Sequence, residues 1–279
     1  MATTQMPKVE RLTPTVGAEV LDVDVDRLLH DEALQQAVMA ALEESGVLAF
    51  RELNIDDESQ VAFCRKLGEV RRWEGQQIPE ISVISLTPEN PMAEYLRGTV
   101  EWHIDGTLDQ DVPMKAGMLS AKIVSAKGGE TEFASAYAAY DDFSDEEKER
   151  FANVRVCHSF EATQRSSYPN PTPEQLADWK QKGGRERPLV WTHRSGRKSL
   201  VLSSSMDYVV GMAVDEGRAL LAELLERATR PERVYSHSWS VGDTILWDNA
   251  GLLHRVQPYD PGSRRELHRT SLVGTEPIQ

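Results

Sequence analysis

Two cysteines in 279 residues, Cys64 and Cys157, leave no material for a disulfide framework or a thiolate zinc cluster. No stretch approaches the roughly 18 consecutive apolar residues of a membrane-crossing helix. The first residues, MATTQMPKVERL, have no apolar core of the kind a signal peptide carries, so neither secretion nor a membrane anchor is expected. Basic side chains are the scarcer sign: 31 Lys and Arg against 45 Asp and Glu give a net charge of −14. That balance is wrong for wrapping a phosphate backbone, which needs cations to release counterions. There is no internal repeat and no low-complexity tract. What is present, 40% apolar and 27% charged residues, is ordinary globular composition on a chain long enough to bury a full core. The expectation is a cytoplasmic protein that acts on a small molecule, with no nucleic-acid or membrane partner, and that assembles as a homo-oligomer, a dimer or a tetramer.

Strand and helix signals alternate in the first third. Gly17–Leu21 reads as a strand. Leu34, Ala37, Val38, Ala41 and Leu42 follow a helical period and predict a helix over 31–44, closed by Gly46. Val47–Phe50 reads as a buried strand, and Asp56 and Asp57 supply cap and dipole chemistry for a second helix carrying Val61, Cys64 and Leu67. Beyond residue 115 the texture is β-rich. Strands are predicted at Met118–Val124, Leu189–Thr192, Ser199–Leu202, Val234–Trp239, Thr244–Trp247 and Leu267–Val273. Helices are predicted over 143–152 and 215–228, the latter with Leu220, Leu221, Leu224 and Leu225 on one face. The polar, Pro-rich stretch 163–187 reads as a loop or lid. Many short strands with long connections favour a barrel or jelly roll, mainly β with flanking helices, in one domain spanning 1–279.

Metal chemistry is the first thing to look for among seven histidines. Side chains at i and i+2 of an extended segment share a face and can grip one ion, so His-x-Asp/Glu is the informative pattern. Chance alone yields about one such pair at this composition, and two occur: His30-Asp31-Glu32 and His103-Ile104-Asp105. Context separates them. The first sits at a helix start among Asp22, Asp24 and Asp26, where Asp31 reads as a cap. The second lies between Trp102 and Ile104, which can wall a dry cavity, although a structural histidine fits there too. Near the C-terminus, Leu246–His254 is a strand running into a turn and then a histidine. The following strand places Arg265, Leu267 and Arg269 on one face. Two guanidiniums on an inner face are costly unless anions neutralise them. Either both pair with Asp or Glu, or one takes a dicarboxylate and the other a substrate anion.

Taken together, Trp102-His103-Ile104-Asp105, Gly128-Gly129-Glu130-Thr131, Pro188–His193 with Gly196-Arg197-Lys198, and Trp247-Asp248-Asn249…His254…Arg265…Arg269 resemble the taurine dioxygenase superfamily of Fe(II)- and 2-oxoglutarate-dependent dioxygenases. The similarity runs in order from Val9 to Gly274. It is strongest to the branch that includes 2,4-dichlorophenoxyacetate dioxygenase, notably at 216–226 and 264–267. The resemblance implies a double-stranded β-helix, a cupin-like jelly roll, with iron held by His103, Asp105 and His254 as a two-His-one-carboxylate triad. It further implies 2-oxoglutarate and O2 as cosubstrates, with Arg265 and the Thr131 hydroxyl clamping the distal carboxylate of the former and the planar fork of Arg suiting that task better than Lys. Trp247 either walls the metal pocket or is a core residue. The implied reaction hydroxylates a substrate C–H bond and releases succinate and CO2. A hydroxyl placed next to O, N or S then collapses with cleavage. Asp105 argues against a halogenase, whose relatives replace that carboxylate by a small residue.

Two departures concern the substrate. Taurine-specific members use a His just past the second helix and an Asn four residues before the first iron ligand. Here no His lies between His30 and His103, and Thr99 occupies the Asn position. Arg269 matches the arginine that faces the substrate anion or helps bind 2-oxoglutarate. A small anionic substrate such as an aryloxyalkanoate, sulfonate or amino-acid derivative is therefore expected, with Arg71, Arg72 and Trp73 lining the entrance for an aromatic or longer acid unless that turn is merely solvated. The alternatives are a cupin-like metal-containing binding protein without turnover and a jelly-roll zinc enzyme.

Overall fold

The fold was analysed in a computed structural model that describes residues 7–279 apart from 109, 166, 167 and 169 and the side chain of Glu94. Its strands are β1 (Lys8–Arg11), β2 (Ala18–Leu21), β3 (Val47–Phe50), β4 (Ser82–Ile84) and β5 (Ala116–Ile123). They continue with β6 (Thr131–Ser135), β7 (Arg155–Ser159), β8 (Gly184–Pro188), β9 (Val190–Thr192) and β10 (Lys198–Leu200). The last are β11 (Met206–Val209), β12 (Val234–His237), β13 (Thr244–Asp248), β14 (Leu252–Val256) and β15 (Glu266–Leu272). Seven of them form one sheet in the order β1-β2-β3-β13-β5-β15-β4, faced by a three-stranded sheet in the order β12-β6-β14. All pairings but β2 with β3 are antiparallel. This is the double-stranded β-helix expected from the sequence.

Why the central strands read as continuous apolar runs is now plain: both of their faces are covered. On β3 and β13, Val47, Ala49, Ile245 and Trp247 point inward to meet Phe133 and Tyr235 of the small sheet. Leu48, Phe50 and Leu246 point outward, under α1 (Val25–His30), α2 (Glu32–Ser45) and α3 (Asp57–Leu67). Helix α2 begins where Asp31 caps the Leu34 N–H and buries Leu34, Val38 and Leu42 at a spacing of four. Gly46, at φ 72°, ends it in a conformation that side chains resist.

The shorter helices are α4 (Ala93–Leu96), α5 (Ala136–Asp141), α6 (Asp145–Phe151), α7 (Phe160–Arg165) and α8 (Pro173–Gln181), followed by the longer α9 (Val214–Ala228). A separate apolar cluster joins α5, α6 and α9 to β7, β10 and β11. The expectation of a loop over 163–187 needs correction, because this stretch contains α8 and β8. Thr172 and Gln175 form a capping box, Pro173 sits where a missing N–H costs nothing, and Trp179 is the buried anchor. One aromatic on an otherwise polar segment was too little periodicity to reveal the helix.

Candidate active site

Alternation builds the metal corner. In the extended segment 101–105, Trp102 and Ile104 are buried in the core while His103 and Asp105 turn the other way. His103 and His254 exchange backbone hydrogen bonds of 3.0 and 2.9 Å, which brings the middle of β14 beside this segment. The imidazole centroids are 4.2 Å apart, and the Nε2 atoms of His103 and His254 each lie 3.7 Å from an Asp105 carboxylate oxygen. One donor atom from each residue falls within 4.8 Å of the others, and no further such group of three occurs among the described residues. His103 Nδ1 is 2.7 Å from the Glu101 carbonyl, which only accepts, so the proton sits on Nδ1 and the Nε2 lone pair is free.

Charge states suit the same purpose. Burial, reinforced by the His254 imidazole, pushes His103 down to about 4, so it is neutral near pH 7. Burial alone would raise the Asp105 carboxyl, yet the Arg269 guanidinium and the two imidazoles hold it far below the usual carboxylate range. Two imidazoles, that of His103 neutral, and a carboxylate on one side of a cavity are the donor set that ferrous iron takes with positions left open. The residues fit the metal.

These groups face a cavity of about 320 Å³ that reaches between the sheets to Thr131 and Arg265. Arg265 is 3% exposed, donates from Nη2 to the Gly129 carbonyl at 2.8 Å, and stacks over the Tyr259 ring at 4.9 Å. No described carboxylate lies within ion-pair distance of it. Burial accordingly draws its pKa below the ordinary arginine value. Gly129 must be glycine, because at φ +81° a Cβ would sit 2.8 Å from the Arg265 side chain. Thr131 is buried opposite, and its Oγ1 accepts the Trp239 indole N–H at 2.9 Å. The hydroxyl proton is thereby left to donate elsewhere.

Arg269, on β15, did find an acid. Arg269 Nη1 lies 3.1 Å from Asp105 Oδ2, whereas its buried Nε has no partner. Trp247 is both wall and core: it lines the cavity, is buried, and its ring centroid is 5.3 Å from that of His254. Thr99 also lines the cavity but spends its hydroxyl on the Leu96 carbonyl at 2.6 Å. Arg71 and Trp73 do not line it. Arg71 stacks on Trp73 at 4.3 Å, and Trp73 meets the site only through Arg269, 5.9 Å from its ring. The competing motif stays outside: His30 is 73% exposed in its side chain, near Asp26, and Asp31 is the cap. Sequence reasoning did not single out Tyr259, which lines the cavity beneath Arg265, or Trp239, which meets Thr131 from 108 positions away.

The family model described as taurine catabolism dioxygenase TauD, TfdA family matches residues 8–271. The alpha-ketoglutarate-dependent 2,4-dichlorophenoxyacetate dioxygenase of Burkholderia sp. (strain RASC) is 33% identical over 283 residues, covering 90% of each chain. The (S)-phenoxypropionate/alpha-ketoglutarate-dioxygenase of Sphingobium herbicidovorans is 32% identical, covering 94% of this chain and 93% of that one. Among solved structures, AAD-2 in complex with Mn(II) and N-oxalylglycine superposes with a TM-score of 0.82 at 32% identity, covering 99% of this chain and 100% of the other. A taurine dioxygenase from Burkholderia xenovorans gives 0.78 at 30% identity, covering 98% and 93%.

Proposed function

Because this chain belongs to the taurine catabolism dioxygenase TauD, TfdA family, we propose that it oxidises a small monoanionic organic compound in the cavity between its two sheets. It is a 2-oxoglutarate-dependent dioxygenase, an oxidoreductase that uses Fe(II), 2-oxoglutarate and O2 and releases succinate and CO2. The observation that carries the reading is Arg265, a buried guanidinium with no carboxylate partner facing the same cavity as the His103, Asp105 and His254 donors. An unpaired buried cation is costly to keep unless an anion arrives to neutralise it.

Bound ferrous iron supplies the activation of O2 that couples decarboxylation of the keto acid to insertion of one oxygen atom into a substrate C–H bond. His103, Asp105 and His254 hold the metal on one side only. Arg265 and the Thr131 hydroxyl take the distal carboxylate of 2-oxoglutarate, bidentately and by a single donated bond respectively. Arg269, through its unspent Nε, orients the substrate anion. Trp247, Leu119 and Leu267 keep water from the reacting end. Asp105 is the carboxylate at this site and is shared among His103, His254 and Arg269, which leaves no acid among the described lining residues to pair with an ammonium group. That supports a simple carboxylate or sulfonate, such as an aryloxyalkanoate, over the zwitterion taurine.

Anaerobic addition of Fe(II) and 2-oxoglutarate should give the weak visible charge-transfer band of a keto acid chelated to ferrous iron, and air with substrate should then yield succinate. No band would refute the assignment and favour a metal-containing binding protein. We place the enzyme in the cytoplasm as a homo-oligomer, a dimer or tetramer that sedimentation velocity would distinguish. No described helix is long and apolar enough to cross a membrane.

A further inference from the structure

Two of the three metal-facing residues fix one another, since His103 and His254 share a pair of backbone hydrogen bonds. Asp105 has no such rung. It lies two residues further on, in an irregular loop, and neither its N–H nor its carbonyl bonds to a described backbone group. A side chain holds it instead. Asn249, in the turn between β13 and β14, accepts the Asp105 N–H at 3.0 Å through Oδ1 and donates to the Asp105 carbonyl at 3.0 Å through Nδ2. The second Nδ2 proton goes to the Met114 carbonyl at 2.9 Å. One carboxamide therefore addresses both backbone groups of a single residue, as a neighbouring strand would, and uses both of its donors to do so.

The anchorage of Asn249 itself is firm. It is 0% exposed, and its own N–H donates to the Lys115 carbonyl at 2.9 Å. Both ends of the loop from Asp105 to Lys115 are thus gathered at one amide. That amide sits five residues before His254, so the turn that delivers one metal-facing residue also sets the backbone of another. A plain packing role would not require the side chain to match the N–H and carbonyl of Asp105 together.

We infer that Asn249 is a positioning residue: its carboxamide fixes the Asp105 backbone so that the carboxylate meets the imidazoles of His103 and His254. The inference rests on the triad being the metal site. It is tested on the metal-free full chain by titrating Mn(II) and following free Mn(II) by electron paramagnetic resonance, beside thermal melts without metal. The wild type should bind a single Mn(II). Asn249→Ala should bind it about 10- to 100-fold more weakly, the range seen when a group orienting a metal ligand is lost. Its turnover should recover with excess Fe(II), leaving the KM for 2-oxoglutarate near the wild-type value. Leu224→Ala, which opens a cavity in the apolar cluster under α9, should lower the melting temperature and leave Mn(II) affinity unchanged. If Asn249→Ala does not fold, Asn249→Asp takes its place, keeping the acceptor for the Asp105 N–H while losing both donated bonds. Mn(II) affinity equal to the wild type's in the folded variant overturns the inference. Absence of binding by the wild type overturns the metal site itself.

Discussion

Replacing Arg265 by Lys keeps the charge at the deep end of the cavity and removes the fork. In the wild type one arm of the guanidinium is spent on the Gly129 carbonyl at 2.8 Å, and the rest faces space that no described acid fills. A lysine ammonium reaching the same place has no planar pair of donors to offer a carboxylate while satisfying Gly129. The loss is one hydrogen bond to a charged group, about 1.5–3 kcal/mol. At about 1.4 kcal/mol per tenfold, the KM for 2-oxoglutarate should rise roughly 10- to 150-fold. The distal carboxylate is unchanged by the reaction, so the lost contact is uniform binding and kcat at saturation should stay within about twofold. Succinate formation against 2-oxoglutarate concentration, at fixed Fe(II) and substrate, reads both constants. An unchanged KM with a collapsed kcat would refute the reasoning and move the clamp to Arg269 or Arg264. Arg265→Met separates charge from structure. It removes a buried cation that no described carboxylate neutralises, so the ligand-free protein should melt no lower than the wild type while 2-oxoglutarate use is lost. A much lower melting temperature would mean that Arg265 holds the fold through Gly129 rather than awaiting an anion.

His103→Ala or His254→Ala should abolish succinate formation with the fold retained by circular dichroism, whereas His30→Ala should leave turnover unchanged; activity in either of the first two would sink the triad. Burial pushes the Asp248 carboxyl up to about 6 from 3.8, even against the bonds it accepts from Ala250 N–H and Tyr137. Between about pH 4 and 6 the folded chain therefore holds a proton that the unfolded chain releases, and this group's contribution to stability falls as pH rises through that window, by about 2–3 kcal/mol in all. Urea melts at either end of the window should show Asp248→Asn gaining on the wild type as pH rises, and parallel profiles would refute the burial argument. Among taurine, longer alkanesulfonates, aryloxyacetates and N-acyl amino acids, taurine should give the lowest kcat/KM, and the neutral amide of the best substrate should lose kcat as well as affinity. Taurine or a neutral compound proving best would overturn the reading of Arg269.

Legibility in the sequence followed the range of the forces involved. Helix α2 was readable because cap, period and terminating glycine all lie within sixteen residues, and β3 and β13 because burial on both faces leaves a continuous apolar run. Strand β4 and helix α4, three and four residues long, carry no periodicity at all and exist through what they pack against. His103 and Asp105 stood out from the competing His30 pair only through Trp102 and Ile104, which are indeed core residues. The spacing that puts Arg265 and Arg269 on one face was visible as geometry. Which arginine would find an acid was not, because Asp105 lies 164 positions away. The same distance effect hid Trp239, which meets Thr131 from 108 positions away, and Asn249, which meets Asp105 from 144. It also hid that Trp73, outside the described cavity lining, meets Arg269 with its ring 5.9 Å from the guanidinium.

The charges brought together here argue for the sign and number of charges on the substrate. A ferrous ion is doubly positive, Asp105 contributes one negative charge, and Arg265 contributes one positive. Against these, 2-oxoglutarate brings two negative charges, so metal, carboxylate, clamp and cosubstrate together balance to zero. Arg269 is then a surplus cation, steadied by Asp105 at 3.1 Å but with a buried N–H still unspent. A buried surplus charge is expensive in proportion to how dry its surroundings are, and the neighbouring wall is formed by Ile84, Leu119, Trp247 and Leu267. One more negative charge neutralises the site. A second would leave the site negative, and an ammonium would restore the positive surplus with no acid among the described lining residues free to answer it. On the role proposed for Arg269, neutralisation on arrival ties substrate binding to the closing of the charge balance around the metal, so the site favours a monoanion and is electrostatically complete only with substrate in place.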